Sequence, residues 1–179
     1  MRKFVWIFAI SMLLTLSAAA QDFPRAEVFG GYSYLHTSVL GQGFSFNGGS
    51  GQITVNANNW FGITGDFGVY HNGDFGVNTN AVTYLFGPKF AYRKSEKVTP
   101  YFHALFGGAH IGANFSGFGS SDNAFAWGLG GGVDANVAKH VSIRVIQADY
   151  LMTHFTDGNN DRQNNVRVSA GIVFRFGGK

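Results

Sequence analysis

An all-β fold, an eight-stranded antiparallel up-and-down transmembrane β-barrel, is predicted by three features of this sequence. The first is the final segment, Asn165–Phe176, in which Val166, Val168, Ala170, Ile172, Phe174 and Phe176 share one parity. Arg167, Ser169, Gly171 and Arg175 share the other, with Val173 its one large apolar residue. Period-2 alternation of this length makes a strand with one apolar face. Its other face, two arginines among glycine and serine, suits a narrow polar interior, and the closing aromatics suit a lipid-facing barrel strand. The second feature is a succession of such segments separated by polar gaps. The third is an export signal on a chain that has no cysteine and no later uninterrupted apolar run of about eighteen residues. Helical spans are thereby excluded, but barrel strands are only about ten residues long and alternately apolar.

The export signal occupies residues 1–20. Met1-Arg2-Lys3 is basic, Phe4–Leu16 is apolar apart mainly from Ser11 and Thr15, and Ser17-Ala18-Ala19-Ala20 is a small-residue cleavage site. A single amino-terminal anchor is the competing reading; the apolar run is short for a span and no basic stop-transfer sequence follows. Residues 21–179 then form one domain. Without Arg2 and Lys3 the mature chain has 11 Lys+Arg against 10 acids. That balance gives no basic stripe for nucleic acid. An exported domain of this size without disulfides needs another staple, such as a closed hydrogen-bonded sheet.

In chain order, the first strand is Ala26–Thr37, with aromatics on both parities, so its facing stays open. A Gly/Ser-rich gap at 38–50 follows. Gly51–Asn58 alternates cleanly, Ile53, Val55 and Ala57 opposite Gln52, Thr54 and Asn56, and Asn58-Asn59 suits a tight turn. Trp60–Tyr70 sets Phe61, Ile63, Phe67 and Val69 against Thr64, Asp66 and Gly68. After a gap at 71–78, Thr79–Tyr92 directs Val82, Tyr84, Phe86, Phe90 and Tyr92 outward and Thr83, Leu85, Gly87, Lys89 and Ala91 inward. Pro88 lacks a ladder donor, which predicts a bulge there. Arg93–Val98 is a charged turn.

Thr99–Ala113, the fifth strand, is again ambiguous in facing, and 114–123 reads as a Gly/Ser loop. In the sixth, Phe125, Trp127, Leu129, Val133, Ala135 and Val137 oppose Ala126, Gly128, Gly130, Gly132 and Asp134. The turn 138–140 leads into Val141–His154. There Val141, Ile143 and Val145 alternate regularly with Ser142 and Arg144, after which Gln147 and Asp149 fall on the apolar parity. Either that strand carries a bulge or its upper part leaves the lipid. The polar gap 155–163 precedes the final strand. Longer gaps (38–50, 71–78, 114–123, 155–163) thus alternate with shorter ones (58–59, 93–98, 138–140), as in an up-and-down barrel with its termini and short turns at one rim. The short turns carry Arg93, Lys94, Lys97 and Lys139; the long gaps carry Asp74, Asp122, Asp157 and Asp161, with Arg162 the exception.

The pieces Phe29-Gly-Gly-Tyr-Ser-Tyr, Trp60-Phe-Gly-Ile-Thr-Gly-Asp, Gly128–Asp134 and Gly171-Ile-Val-Phe-Arg-Phe-Gly resemble the outer membrane protein A-like eight-stranded β-barrels of Gram-negative bacteria. The resemblance runs over essentially the whole mature chain. It implies an outer-membrane barrel inserted by the barrel-assembly machinery, with periplasmic termini and surface-exposed loops. Members include envelope-stabilising proteins, adhesins and narrow channels, and many carry a periplasmic peptidoglycan-binding domain, which this sequence lacks before Lys179. Phe176, where the family ends in an aromatic, is followed here by Gly177-Gly178-Lys179.

The inward parity predicts an interior polar network of Asp66, Lys89, Asp134, Arg144, Arg167 and Arg175, joined by Asp149 if a bulge turns it inward. Opposite charges in a lumen this narrow must pair, because an unpaired buried charge is expensive. The glycines at 128, 130 and 132 leave space for a thin water path between them. The six histidines show no metal spacing, and His36, His71 and His154 near the rim have no serine or second acid pair specified with them. The glycine clusters lack the following Lys-Ser/Thr of a phosphate loop. Trp60-Phe61, Phe90 with Tyr92, and Tyr70 suit interfacial girdles. The reading is therefore a non-enzymatic, cofactor-free monomer in outer-membrane lipid, with a structural role and long loops that contact an external ligand. A small nonspecific pore is one alternative. A secreted, lipocalin-like barrel with its apolar parity turned inward is the other.

Overall fold

The computed structural model describes residues 23–39, 42–72, 78–115, 118–154 and 162–178. Eight strands follow one another: β1 Ala26–Val39, β2 Gln42–Asn56, β3 Phe61–Asn72, β4 Asn78–Ala91, β5 Val98–Phe115, β6 Phe118–Ala138, β7 Val141–His154 and β8 Gln163–Phe176. Each pairs antiparallel with its neighbour in sequence, and β1 pairs with β8 to close the barrel. Closure leaves no open edge, so the hydrogen-bonded ladder is the staple of this disulfide-free chain. At the closing seam Gly31 faces Gly171 in register, and a Cβ on either would run into the backbone of the other strand. The pair lets β1 and β8 approach closely.

The alternation resolves as apolar outside and polar inside. Ile53, Val55, Ile63 and Val69 on β2 and β3 are each more than half exposed, whereas Thr54, Thr64 and Asp66 are fully enclosed. Exposed large apolar residues recur on all eight strands. An apolar belt of this extent belongs in lipid rather than water. The lipocalin-like arrangement is therefore overturned: its apolar parity would face inward, and here it faces out. Both ambiguous strands are settled as well. β1 turns Glu27, Phe29, Ser33 and Leu35 inward; β5 turns Thr99, Tyr101, His103 and Leu105 inward.

Several gaps are shorter than the composition suggests. The gap expected at 38–50 is mostly strand, since β2 begins at Gln42 and Val39 pairs with it. The gap expected at 114–123 is strand up to Phe115 and again from Phe118. Strict long–short alternation therefore fails, because glycine and serine in a twisted hairpin still donate and accept ladder bonds. Residues 71–72 and 78 also belong to strands, while the rest of that gap, with Asp74, lies outside the described residues, as do Asp157 and Asp161. At the terminus-bearing end the turns are compact. Asn58 Oδ1 accepts from the backbone N–H groups of Trp60 and Phe61 at 2.9 and 2.8 Å, an Asx turn.

Pro88 causes no bulge. β4 keeps one register against β5 on both sides of it, from Phe86–Phe106 to Lys89–His103, and only the Gly87 and Pro88 pairings are missing. The bulge lies in β7. Val133 faces Ile146 but Asp134 faces Arg144, and β8 shows the same one-residue excess between Arg144 and Gln147. Val145 and Ile146 consequently both point outward, about half exposed, and Gln147 and Asp149 swing into the lumen. Tyr70 departs from the expected girdle position: it is 1 % exposed and faces the interior. At the terminus-bearing end Trp60 stacks on Phe90 with centroids 6.0 Å apart, as an interfacial girdle requires.

The bulge makes a test. Deleting Ile146 removes the extra residue and leaves Arg144, Gln147 and Asp149 all inward, so the refolded compact species that shifts on boiling in gel electrophoresis is expected to persist, whereas deleting Ala148 turns Asp149 to the lipid side and is expected to abolish it. Ile146→Leu keeps the bulge and is expected to keep that species.

Candidate functional site: the luminal polar network

The terminus-side half of the lumen is filled by charged and amide side chains contributed by nearly every wall. Arg167 of β8 is wholly enclosed and reaches across to Asp66 of β3, with Nη1 to Oδ1 at 2.6 Å and Nη2 to Oδ2 at 3.0 Å. Its Nε donates to Asp149 Oδ2 of β7 at 2.7 Å. Asp149 also accepts from Gln147 Nε2 at 2.7 Å, and its Oδ1 lies 2.7 Å from His103 Nε2. β3 and β7 are four strands apart in a ring of eight, hence on opposite walls. One guanidinium therefore ties two carboxylates across the barrel.

A second guanidinium spans the lumen nearer the terminus-bearing rim, between one carboxylate and two amide oxygens. Arg144 of β7 pairs with Asp134 of β6, Nε to Oδ1 at 2.8 Å, and donates through Nη1 to Gln52 Oε1 of β2 at 2.6 Å and Gln147 Oε1 at 2.7 Å. Gln52 in turn donates to Asp66 at 2.6 Å, joining the two centres. The Arg144 guanidinium lies over Phe29, 4.2 Å from its ring centroid, and over Tyr101 at 4.5 Å. Such stacking suits a weakly hydrated planar cation in an enclosed lumen. Tyr101 OH donates to Gln147 Oε1 at 2.8 Å.

The third centre is Glu27 of β1. Lys89 Nζ of β4 donates to its Oε2 at 2.7 Å, and Arg93, from the β4–β5 turn, reaches in to its Oε1 at 3.0 Å. Four enclosed acids, Glu27, Asp66, Asp134 and Asp149, thus meet Lys89, Arg93, Arg144 and Arg167 within ion-pair distance. Charge balance is what makes this burial tolerable, since each ion alone would be costly to desolvate.

Of the residues expected in the interior network, Asp66, Lys89, Asp134, Arg144 and Arg167 are enclosed and ion-paired, with Asp149 brought in by the bulge. Arg175 stands apart. It is half-buried at the rim, donating to Asn136 Oδ1 at 3.0 Å and the Ala138 carbonyl at 2.7 Å. One residue from the strand end, its guanidinium caps the β6–β7 turn rather than crossing the lumen. Glu27 and His103 escaped the sequence reading because both parities of β1 and β5 carry aromatics. Arg93 escaped it because a turn residue has no parity. Gln52 lay on a polar parity that had been assigned, and its amide was the overlooked signal.

The space expected beside Gly128, Gly130 and Gly132 is occupied rather than open. A Cβ on Gly130 would collide with the Asp149 carboxylate, one on Gly132 would come 2.7 Å from Tyr101 OH, and one on Gly128 would strike Leu151. These glycines are the recesses that the network's side chains fill. Beyond the network the lumen turns apolar, with Leu35, Phe46, Tyr70, Leu85, Leu105 and Leu151 packed together. Among the described residues, no group of three or more His, Cys, Asp or Glu is placed to hold a metal ion.

A closed eight-stranded barrel with a polar interior and an apolar outer belt defines a transmembrane barrel protein of outer-membrane type. The family profile described as outer membrane protein beta-barrel domain matches residues 6–174, and the chain belongs to that family. Its fold is shared with Neisserial surface protein A, with TM-score 0.73 at 14 % identity over 84 % of this chain and 97 % of that one. The attachment invasion locus protein Ail of Yersinia pestis gives 0.58 at 19 % identity, over 85 % and 99 %. The N-terminal β-barrel domain of Pseudomonas aeruginosa OprF gives 0.56 at 14 %, over 86 % and 99 %. Comparison with curated proteins by sequence returned no match. Family and fold together place the chain in the outer membrane.

Two outcomes test the network. Arg167→Met leaves Asp66 and Asp149 buried without their shared cation and is expected to cost about 3–5 kcal/mol in urea unfolding from lipid vesicles. Asp66→Leu added to it is expected to recover part of that loss. Gly130→Val is expected to expel the Asp149 carboxylate and depress refolding yield well below that of Gly112→Ala, because a Cβ at Gly112 meets open space.

Proposed function

We propose that the protein is a non-enzymatic, monomeric outer-membrane barrel whose role is structural at the membrane and interactive at the surface. Residues 1–20 are its export signal, and the barrel-assembly machinery inserts it. The terminus-bearing rim faces the periplasm and the opposite hairpins face outward, where they contact an external partner. The observation that carries this reading is the partition of the strands into an apolar belt and an ion-paired plug. With guanidinium bridges spanning opposite walls, the plug disfavours the alternative of a small nonspecific pore. Ail has been crystallised with the heparin analogue sucrose octasulfate. In this sequence the long polar gaps carry Asp74, Asp122, Asp157 and Asp161 against Arg162, which argues for a partner that is not a sulfated polyanion.

The absence of native cysteine makes topology directly testable. On intact cells a membrane-impermeant maleimide is expected to label Asn123→Cys, and to label Ser95→Cys and Lys139→Cys only after permeabilisation. Reversal of that pattern would invert the orientation. In planar bilayers the wild type is expected to give no discrete conductance steps, and reproducible steps would favour the pore.

A further inference from the structure

On the lipid-facing side of β4 and β5, close to the terminus-bearing rim, the outer wall of the barrel holds a groove of about 350 Å³. Trp60, Phe90, Tyr92, Pro100 and Phe102 line it, and all five are exposed. The pairing of the strands shows how it arises. Phe90 stands opposite Phe102, and the next outward pair is Tyr92 with Pro100, joined by the Tyr92 N–H to the Pro100 carbonyl at 2.9 Å. Proline fills less space than the aromatic residues around it. A notch is left between the Phe102 ring, Tyr92 and the stacked pair of Trp60 and Phe90. Along this face of a barrel the medium is lipid, so the groove takes hydrocarbon rather than water.

A second observation is electrostatic and independent of that shape. The Lys94 ammonium lies 5.9 Å from the centroid of the Tyr92 ring, at the edge of the groove. Arg93 beside it is committed to Glu27, Asn56 and the Asn59 carbonyl. Lys94 and Lys97 have, among the described residues, no acid within ion-pair distance. Glu96 is the one acid of that turn, so two lysines against one glutamate leave a single positive charge in excess. The neighbouring β2–β3 turn, residues 57–60, carries no lysine or arginine. At a membrane boundary a lysine lays its stem on apolar surface and holds its ammonium at the headgroup level. We infer that the groove and Lys94 together form a site for one anionic phospholipid of the leaflet on the terminus-bearing side. An acyl chain lies against Trp60 and Phe102, and Lys94 holds the phosphate. A singly charged headgroup balances the excess charge of the turn, whereas a zwitterionic one brings a second cation to the same place. Elsewhere the belt takes whichever chain adjoins it; here the headgroup is selected as well.

Trp60 supplies the assay. The barrel carrying Trp6→Phe and Trp127→Phe, purified from outer membranes, keeps Trp60 as its one indole. It is placed in phosphatidylcholine vesicles that contain, at equal mole fraction, phosphatidylglycerol or phosphatidylcholine brominated on the acyl chains. Brominated phosphatidylglycerol is expected to quench Trp60 saturably and severalfold more effectively than brominated phosphatidylcholine. Lys94→Gln with Lys97→Gln is expected to remove that preference. Pro100→Leu fills the notch and is expected to weaken the quenching with both lysines in place, in protein that retains the boiling-dependent mobility shift. A companion barrel with Trp127 as its one indole, made by Trp6→Phe and Trp60→Phe, is expected to show no preference. Equal quenching of Trp60 by the two lipids would overturn the site, as would a preference that survives loss of both lysines. The same preference at Trp127 would mean a general attraction of anionic lipid to the barrel and would also overturn it. So would a Trp60 that neither lipid reaches, as when a second copy of the chain covers the groove.

Discussion

The guanidinium of Arg167, held between Asp66 and Asp149, is the interaction on which the interior depends. A barrel of eight strands is only wide enough to be filled by its own side chains. Charges inside it cannot retain a full hydration shell, so each must find its partner across the lumen or be excluded by selection. Satisfying Arg167 requires acids on opposite walls at one height. That in turn requires the β7 bulge, which rotates Asp149 inward, and Gly130, which leaves room for its carboxylate. The local irregularity and the missing side chain are consequences of one electrostatic demand.

The same demand explains how polarity is layered. Toward the termini, ion pairs and amides knit six walls together, and the Lys89–Glu27–Arg93 cluster closes the base. Toward the other end the inward residues become leucine, phenylalanine and alanine, which need no partners. Outside, tyrosines make the transition from lipid: Tyr32 bonds to Asn47 at 2.5 Å and Tyr150 to Asn164 at 2.6 Å, both on adjacent strands. An amphipathic ring with a polar tip suits that boundary.

Much of the interior was legible before any fold was built. Asp66, Asp134, Arg144 and Arg167 stand on clean polar parities, and two-residue periodicity places such residues on the face opposite the lipid. Asp149 was legible only conditionally, because a break in alternation marks a bulge or a departure from lipid without distinguishing them. Glu27, His103 and Arg93 were illegible for a different reason: aromatics occupy both faces of β1 and β5, and turns obey no period. The Gly/Ser stretches at 38–50 and 114–123 misled because their composition favours turns, whereas cross-strand ladder bonds hold much of them extended.

By itself the sequence determined the strand count, the antiparallel order and which residues share a face, since these follow from local periodicity and short connections. Only the tertiary structure decided the facing of β1 and β5, because aromatics stand on both parities of each. It alone decided the register of β7 against β6 and β8, and with it the place of Asp149. It alone joined Arg167 to Asp66, residues separated by 101 positions, because that contact exists only after the sheet closes on itself. The cavity above them, lined by Leu35, Phe46, Ala81 and Leu151 from four different strands, is likewise a product of closure: no single strand contains a cavity.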